Sequence, residues 1–203
     1  MGTLTTKGAL TPTILRAAGI LAMASAMMTL PMFLSSLLLE GRHDEAARTM
    51  QILMQCLGTI IFMALTSSLR YFLVRNCSYK KADGIILCLI TFNIIYAVTA
   101  SSGLYLPKAG EQLKPLMAVL VVLLGVAQAG LGMRLFELPS DLGGMKRPYC
   151  WLNIATGLCT ASMLLIPVGI VTSAVGDLML GTIIFQEARR LSLSHGAESM
   201  PEP

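Results

Sequence analysis

Residues 148–186 read PYCWLNIATGLCTASMLLIPVGIVTSAVGDLMLGTIIFQ, and this stretch decides the fold. Its only charged residue is Asp177. A helix crosses the hydrocarbon core with about 20 mainly apolar residues, so the stretch is too long for one ordinary span. Pro167 breaks helical hydrogen bonding and Gly169 eases a tight reversal, which predicts a hairpin of two spans. The two predicted arms are residues 150–166 and 168–186. The alternatives are one long kinked helix, or a span followed by a surface helix, since proline is tolerated inside membrane helices.

Four more apolar stretches precede this hairpin, and each is long enough to span a membrane. They are residues 14–39, 50–74, 84–106 and 115–136. The predicted fold is therefore all-α, a polytopic membrane protein with a bundle of six transmembrane helices, or five if the hairpin does not form. Residues 1–190 are predicted to form this single bundle, and residues 191–203 a short disordered cytoplasmic tail.

The composition agrees with a membrane protein and excludes several other classes. Of 203 residues, 55% are hydrophobic and only 13% are charged, and the mean hydropathy is +0.71. A soluble domain averages about 25% charged residues. The basic residues stand in short clusters between apolar stretches and do not form the broad basic face that nucleic-acid binding needs. An ordinary soluble enzyme, a disordered chain and a nucleic-acid-binding protein are thus excluded.

The distribution of basic residues predicts the orientation. With six spans and a cytoplasmic N-terminus, eleven of the 15 Lys and Arg residues lie on the cytoplasmic side. The four on the other side are Arg42, Arg48, Lys108 and Lys114. Five spans would give nine against six. The positive-inside rule favours six spans, with both termini in the cytoplasm. We expect the membrane to be a bacterial inner membrane.

Asp177 is the only charged residue near the middle of a predicted span. An aspartate at that depth costs at least about 2.5–3.5 kcal/mol, which makes it a functional candidate. Asn93 and Gln128 lie at similar depth, and Tyr96 follows Asn93 by three residues on the same helical face. These four residues are predicted to form a proton or cation pathway. The alternative is structural, because buried polar side chains also cross-link membrane helices, by about 0.6 kcal/mol each.

Small residues and a short repeat bear on helix packing. Gly125, Ala129 and Gly132 lie on nearby faces of the fourth span, which predicts close contact between helix backbones. The hexapeptide LGTIIF occurs at 57–62 and again at 180–185. Two duplicated hairpins would explain this repeat, and so would chance in a sequence drawn mainly from a few residue types.

Reactive groups are scarce. The only histidines, His43 and His195, lie outside the predicted spans, which disfavours a haem site and a serine–histidine hydrolase. The sequence has no Walker loop, zinc signature or glycine-rich nucleotide turn. We therefore expect no catalytic residues, no cofactor, no metal and no enzymatic activity.

The leading functional hypothesis is a scaffold, assembly factor or accessory subunit that acts through helix packing. Its expected partners are membrane lipids and a second copy of the chain or another membrane protein, without nucleic acid. The alternative is a small transporter or channel that uses Asp177 as an intramembrane coupling carboxylate.

Overall fold

The computed structural model describes residues 11–198, except Glu40 and His43, with side chains throughout apart from 107–109 and 194–198. The two histidine side chains and residues 199–203 of the predicted tail thus lie outside the described part. In that part the fold is all-α, as predicted. The helices are α1 (Pro12–Leu39), α2 (Glu45–Arg75), α3 (Asp83–Tyr105), α4 (Pro107–Leu135), α5 (Lys146–Ala161) and α6 (Ile166–Glu198), with a 3₁₀ turn at Leu142–Gly144.

Five of these helices are long and apolar enough to cross a membrane, and α5 is the exception. Helix α5 has 16 residues, while the others have 23 to 33. At 1.5 Å per residue it measures about 24 Å, less than the ~30 Å thickness of the hydrocarbon core. The prediction of six helices is confirmed, and one of the six, α5, is shorter than an ordinary membrane span.

The chain reverses direction between α5 and α6, slightly earlier than the sequence predicts. Helix α5 ends at Ala161, and Met163 in the connecting turn has a φ of 59°. Pro167 is the second residue of α6. Proline is tolerated in the first turn of a helix, where its missing N–H has no intrahelical partner. Pro167 therefore begins the second arm, and the turn itself lies before it.

The predicted spans mark the apolar part of each helix, and most helices continue beyond it. Helix α2 begins at Glu45 and α4 at Pro107, each several residues before the predicted start. Helix α6 continues to Glu198, so residues 191–198 are helical where the sequence predicts the beginning of a disordered tail. Hydropathy detects only the segment inside the hydrocarbon, whereas backbone hydrogen bonding continues through polar turns.

The six helices form a closed ring. In the described residues each helix contacts only its neighbours in sequence, and α6 closes the ring by packing along α1. Neighbouring helices run antiparallel: Met32 on α1 lies beside Gly58 on α2, and Thr156 on α5 bonds Thr172 on α6. No described helix passes through the middle of the ring, so only side chains reach its centre.

The two halves of the ring differ in packing. We call the half that holds the start of α1 and the end of α6 the closed half, and the opposite half the open half. The eight large side chains with less than 2% exposure all lie in the closed half: Leu15, Leu73, Ile86, Leu89, Leu135, Leu138, Cys150 and Ile184. In the open half, no described residue of α1 after Ala26 is buried, and α2 has only Ala47 buried before Leu65. The ring is thus sealed at one end and loosely packed at the other.

Helices α4 and α5 approach until their backbones touch. A Cβ atom added to Gly125 would lie 2.5 Å from the backbone nitrogen of Ala161, and one on Gly132 would lie 2.8 Å from the carbonyl oxygen of Cys150. Gly157 meets the backbone of Ala129 and Gly125 in the same way. The predicted packing role of the small residues in α4 is confirmed, and Gly157 supplies the matching surface on α5.

The two LGTIIF copies occupy different levels of the ring. Gly58 of the first copy packs against Met32 in the open half of α1. Gly181 of the second copy packs against Gly19 and Met23 in the closed half. The two hexapeptides therefore have different environments despite their identical sequence.

Candidate functional site

A central cavity of about 380 Å³ lies inside the ring and is lined by residues of all six helices. Its floor consists of leucines that border the closed half: Leu69, Leu89, Leu131 and Leu180. Its walls towards the open half are mainly apolar and include Met28, Met32, Ile61 and Phe62. Pockets of about 300–1,000 Å³ with apolar walls and a few placed polar groups are typical of small-molecule sites.

Each helix contributes at least one polar side chain to the middle of this cavity. We call the following set the polar ring: Ser25 from α1, Thr66 from α2, Asn93 from α3, Gln128 from α4, Asn153 from α5 and Asp177 from α6. These side chains lie above the leucine floor at the level where the two halves meet. Polar groups at membrane depth are costly unless they have partners or face a hydrated cavity. Their convergence from six separate helices therefore marks the candidate site.

Asp177 is the only charged residue among the described residues that line the cavity. Ser25 Oγ donates a hydrogen bond of 2.7 Å to Asp177 Oδ2. Among the described residues, no basic side chain comes within ion-pair distance of this carboxylate. One hydroxyl donor does not compensate the charge of a carboxylate at this depth. Within the described residues, the carboxylate of Asp177 therefore has a hydrogen-bond donor but no counter-ion.

The amides of α4 and α5 form a second part of the polar ring. Gln128 Nε2 donates to Asn153 Oδ1 over 2.7 Å, and Asn153 Nδ2 donates to the carbonyl oxygen of Tyr149 over 2.9 Å. Asn153 is buried. This chain of bonds fixes the orientation of both amides and leaves the Gln128 carbonyl oxygen as an additional acceptor.

Asn93 differs from the other two amides because its carbonyl oxygen has no partner. Asn93 Oδ1 is buried and accepts no hydrogen bond from the described part of the chain. Nearly all buried polar atoms in proteins are hydrogen-bonded, so an unpaired one indicates a missing ligand, water or ion. Asn93 lines the same cavity as Asp177. The site thus contains one carboxylate without a counter-ion and one amide oxygen without a donor.

Three of the four residues predicted from the sequence meet in this cavity. Asp177, Asn93 and Gln128 all line it, whereas Tyr96 is not among the lining residues. Tyr96 lies almost one helical turn beyond Asn93 towards the open half, where α3 no longer borders the cavity. Sharing a helical face with Asn93 is therefore not sufficient to bring Tyr96 into the site.

Ser25, Thr66 and Asn153 line the cavity but are not among the site residues predicted from the sequence. Serine and threonine are common in membrane helices, where the hydroxyl usually bonds the carbonyl of its own helix. Thr59 and Thr99 do so here, with bonds of 2.8 and 2.7 Å to residues four positions earlier. Ser25 instead bonds across to α6. The sequence does not show whether such a hydroxyl bonds its own helix or a neighbouring one.

No family model, no curated protein and no solved structure matches this chain. The function is therefore inferred from the chemistry of the cavity itself.

Proposed function

We propose that this protein is a small membrane transporter that carries a cation through the central cavity, with Asp177 as the binding carboxylate. The observation that carries the proposal is the polar ring, in which every helix contributes to one cavity that holds a single uncompensated carboxylate. An ionisable residue in this position is characteristic of ion and proton pathways.

The size of the cavity argues against a purely structural role for the polar ring. Protein interiors are normally close-packed. This cavity of about 380 Å³ is approachable from the open half, and polar side chains line its middle. A bundle that acts only through its outer surface does not require such a cavity, whereas a transporter does.

The asymmetry of the ring supports transport by alternating access. The closed half seals the cavity with leucines, and the loosely packed open half leaves it approachable. Two helix pairs pack closely through glycine contacts: α1 with α6, and α4 with α5. Helix α2 packs less extensively on its neighbours α1 and α3. We propose that movement of α2 relative to these tight pairs opens the closed half.

We also propose that both termini lie in the cytoplasm of a bacterial inner membrane, so that the open half faces away from the cytoplasm. The excess of basic residues predicted on the cytoplasmic side, eleven against four, supports this orientation. In a cysteine-free background, Arg42→Cys and Asp141→Cys place single labelling sites in loops at opposite ends. We expect an impermeant maleimide to label the Arg42→Cys variant in intact spheroplasts and the Asp141→Cys variant only after lysis. The reverse pattern would refute the orientation.

Transport is tested by electrometry of proteoliposomes on a solid-supported membrane. Na⁺, K⁺ and benzylammonium are applied in turn, and at least one should give a transient current with the unmodified chain. Asp177→Asn should abolish that current. Asp141→Asn is the matched control, because it makes the same change in an exposed loop. A current that is equal in Asp177→Asn would refute the proposed role of the carboxylate.

Assembly through helix packing remains the second candidate function, and one outer face of α1 favours it. Ile20, Met27, Leu34 and Leu38 are exposed apolar residues at spacings of seven and four on that face. Such a spacing suits contact with a second helix as well as contact with lipid. In the cysteine-free background, oxidation of Met27→Cys in native membranes should give a disulfide-linked dimer if this face pairs with a second copy. Monomer alone would count against pairing there.

A further inference from the structure

The cavity differs from an inorganic ion site in its size and in its walls. A dedicated calcium site surrounds its ion with six to eight oxygen ligands, and magnesium requires near-octahedral oxygen coordination. No cluster of acidic or other metal-ligating side chains occurs in the part of the chain that the structure describes. At about 380 Å³ the cavity is far larger than a dehydrated ion, and flexible apolar side chains such as Met28 and Met32 form its upper wall. These features favour an occupant with an apolar body.

The charge of the cavity sets the charge of the occupant. In the part of the chain that the structure describes, Asp177 is the only charged lining residue, so an ionised site carries a single negative charge. A monovalent cation neutralises it, and a divalent cation would leave one uncompensated positive charge at membrane depth. An anion or a zwitterion would place a second negative group beside Asp177 without any basic residue to receive it.

The free acceptors match a group that donates several hydrogen bonds. A primary ammonium has three N–H donors and no acceptor. Within the described ranges, the Asp177 carboxylate has only the Ser25 hydroxyl as a partner and Asn93 Oδ1 has none. Gln128 uses its amide nitrogen to bond Asn153. The open acceptors are thus all oxygens, as an ammonium group requires.

We propose that the cavity binds a primary amine in its ammonium form, with the nitrogen at Asp177 and Asn93 and an apolar body between Met28, Met32 and Phe62. This inference rests on the proposed transport function and names the class of its substrate. Asn93 then selects a primary ammonium, which donates hydrogen bonds, over a quaternary ammonium of the same charge, which donates none.

The test uses calorimetry with the full chain in lipid nanodiscs, and empty nanodiscs as the blank. Three probes share one aromatic body: benzylamine, benzyl alcohol and benzyltrimethylammonium. We expect benzylamine to bind at neutral pH, benzyl alcohol not to bind, and benzyltrimethylammonium to bind at least about tenfold more weakly, because it donates no N–H bond to Asn93. Equal binding of the alcohol, or of the quaternary cation, would overturn the proposal.

Variants locate the ammonium group. Asp177→Asn should abolish benzylamine binding, and Asn93→Leu should weaken it about tenfold or more. Asn76→Leu is the matched control, because Asn76 Oδ1 is also buried without a partner but lies outside the cavity. If Asn93→Leu fails to fold, the double variant Asp177→Asn/Asn93→Asp replaces it, since moving the carboxylate within the same cavity should restore binding. Unchanged binding in Asn93→Leu, or none in the folded double variant, would overturn the proposal.

The outcomes separate this inference from the transport function. Benzylamine binding without any cation current upholds the amine site and refutes transport. Na⁺ or K⁺ currents that depend on Asp177, together with no benzylamine binding, refute the amine site and leave transport intact.

Discussion

The hydroxyl of Ser25 on α1 donates a 2.7 Å hydrogen bond to the carboxylate of Asp177 on α6, and so links the first and last helices of the ring. This is the only bond between side chains of these two helices among the described residues. It orients the one charged group of the cavity at the contact that closes the ring. A single hydroxyl therefore affects both the geometry and the charge of the site.

Replacing Ser25 with alanine should weaken cation transport. Hydrogen bonds to charged groups contribute about 1.5–3 kcal/mol, and Ser25→Ala removes the only one that Asp177 accepts in the described structure. We expect the cation current to fall about tenfold or more, and Ser25→Thr to retain it because the hydroxyl is kept. Ser36→Ala is the control on the same helix, since the Ser36 hydroxyl bonds only the backbone of Phe33. A normal current in Ser25→Ala would show that the bond has no functional role.

Adding side-chain volume at Gly157 should destabilise the bundle. Its Cβ position coincides with the backbone of α4 at Gly125 and Ala129, which no rotamer change relieves. Overpacking of this kind costs typically about 1–3 kcal/mol, and we expect Gly157→Ala to lower the thermal midpoint in detergent.

The control for Gly157 is another helical glycine. Gly84→Ala in the first turn of α3 meets no atom within 4 Å. Alanine is favoured over glycine in a helix by up to about 1 kcal/mol, so Gly84→Ala should leave the midpoint unchanged or raise it. If Gly157→Ala is as stable as Gly84→Ala, the α4–α5 backbone contact does not limit stability.

The loops of the closed half contain an ion pair whose titration can be measured. Lys81 Nζ lies 3.1 Å from Glu137 Oε2, and Arg134 Nη1 lies 3.0 Å from Glu137 Oε1. The hydrogen bond from Lys81, with a smaller contribution from Arg134, lowers the pKa of Glu137 below its ordinary value of 4.5. The stabilisation by this cluster is therefore complete above pH 4.5 and is lost as the pH falls through the lowered pKa.

Lys81→Met should raise the pKa of Glu137 towards the ordinary value, as followed by NMR of the labelled glutamate carboxyl. Lys80→Met is the matched control, because Lys80 is the preceding residue and does not contribute to the Glu137 shift. We expect the titration of Glu137 in Lys80→Met to match the unmodified chain. An unchanged titration in Lys81→Met would mean that the loop contact does not persist in solution.

The hydroxyl pair between α5 and α6 should contribute little to stability. Thr156 Oγ1 donates to Thr172 Oγ1 over 2.9 Å. Interhelical hydrogen bonds of this type average about 0.6 kcal/mol. A double-mutant cycle with Thr156→Val and Thr172→Val should give a coupling free energy of that order in reversible unfolding. A coupling several times larger would mean that this pair holds the short hairpin together.

The number and order of the helices could be predicted from hydropathy because each span must be apolar and must satisfy its own backbone. The position of the α5–α6 turn could not, since Pro167 is compatible both with a break and with the first turn of a helix. The predicted arm of residues 150–166 is about as long as α5, which has 16 residues, but both of its ends lie four to five residues too far along the chain. Hydropathy does not register where a continuous apolar stretch turns around.

The residues of the candidate site could be predicted where burying the side chain in a membrane is costly, and could not be predicted where burying it costs little. Asp177, Asn93 and Gln128 carry groups that lipid does not accommodate, so their presence in spans indicates a shared environment. Ser25 and Gly157 carry no such signal, because both residue types are common in membrane helices. Their roles depend on which neighbouring helix they meet, and this follows from the closure of the ring.

The shortness of α5 has a consequence for the surrounding lipid. The hairpin tip exposes Met163, Leu164 and Leu165, yet α5 falls roughly 6 Å short of the hydrocarbon thickness. Acyl chains next to this tip must be compressed, at a cost of fractions of a kcal/mol per Å of hydrophobic mismatch. Thr160 and Gly169 connect the tip directly to the cavity wall. We therefore expect bilayer thickness to affect this part of the cavity wall, with short-chain lipids bringing water closer to the carboxylate than long-chain lipids do.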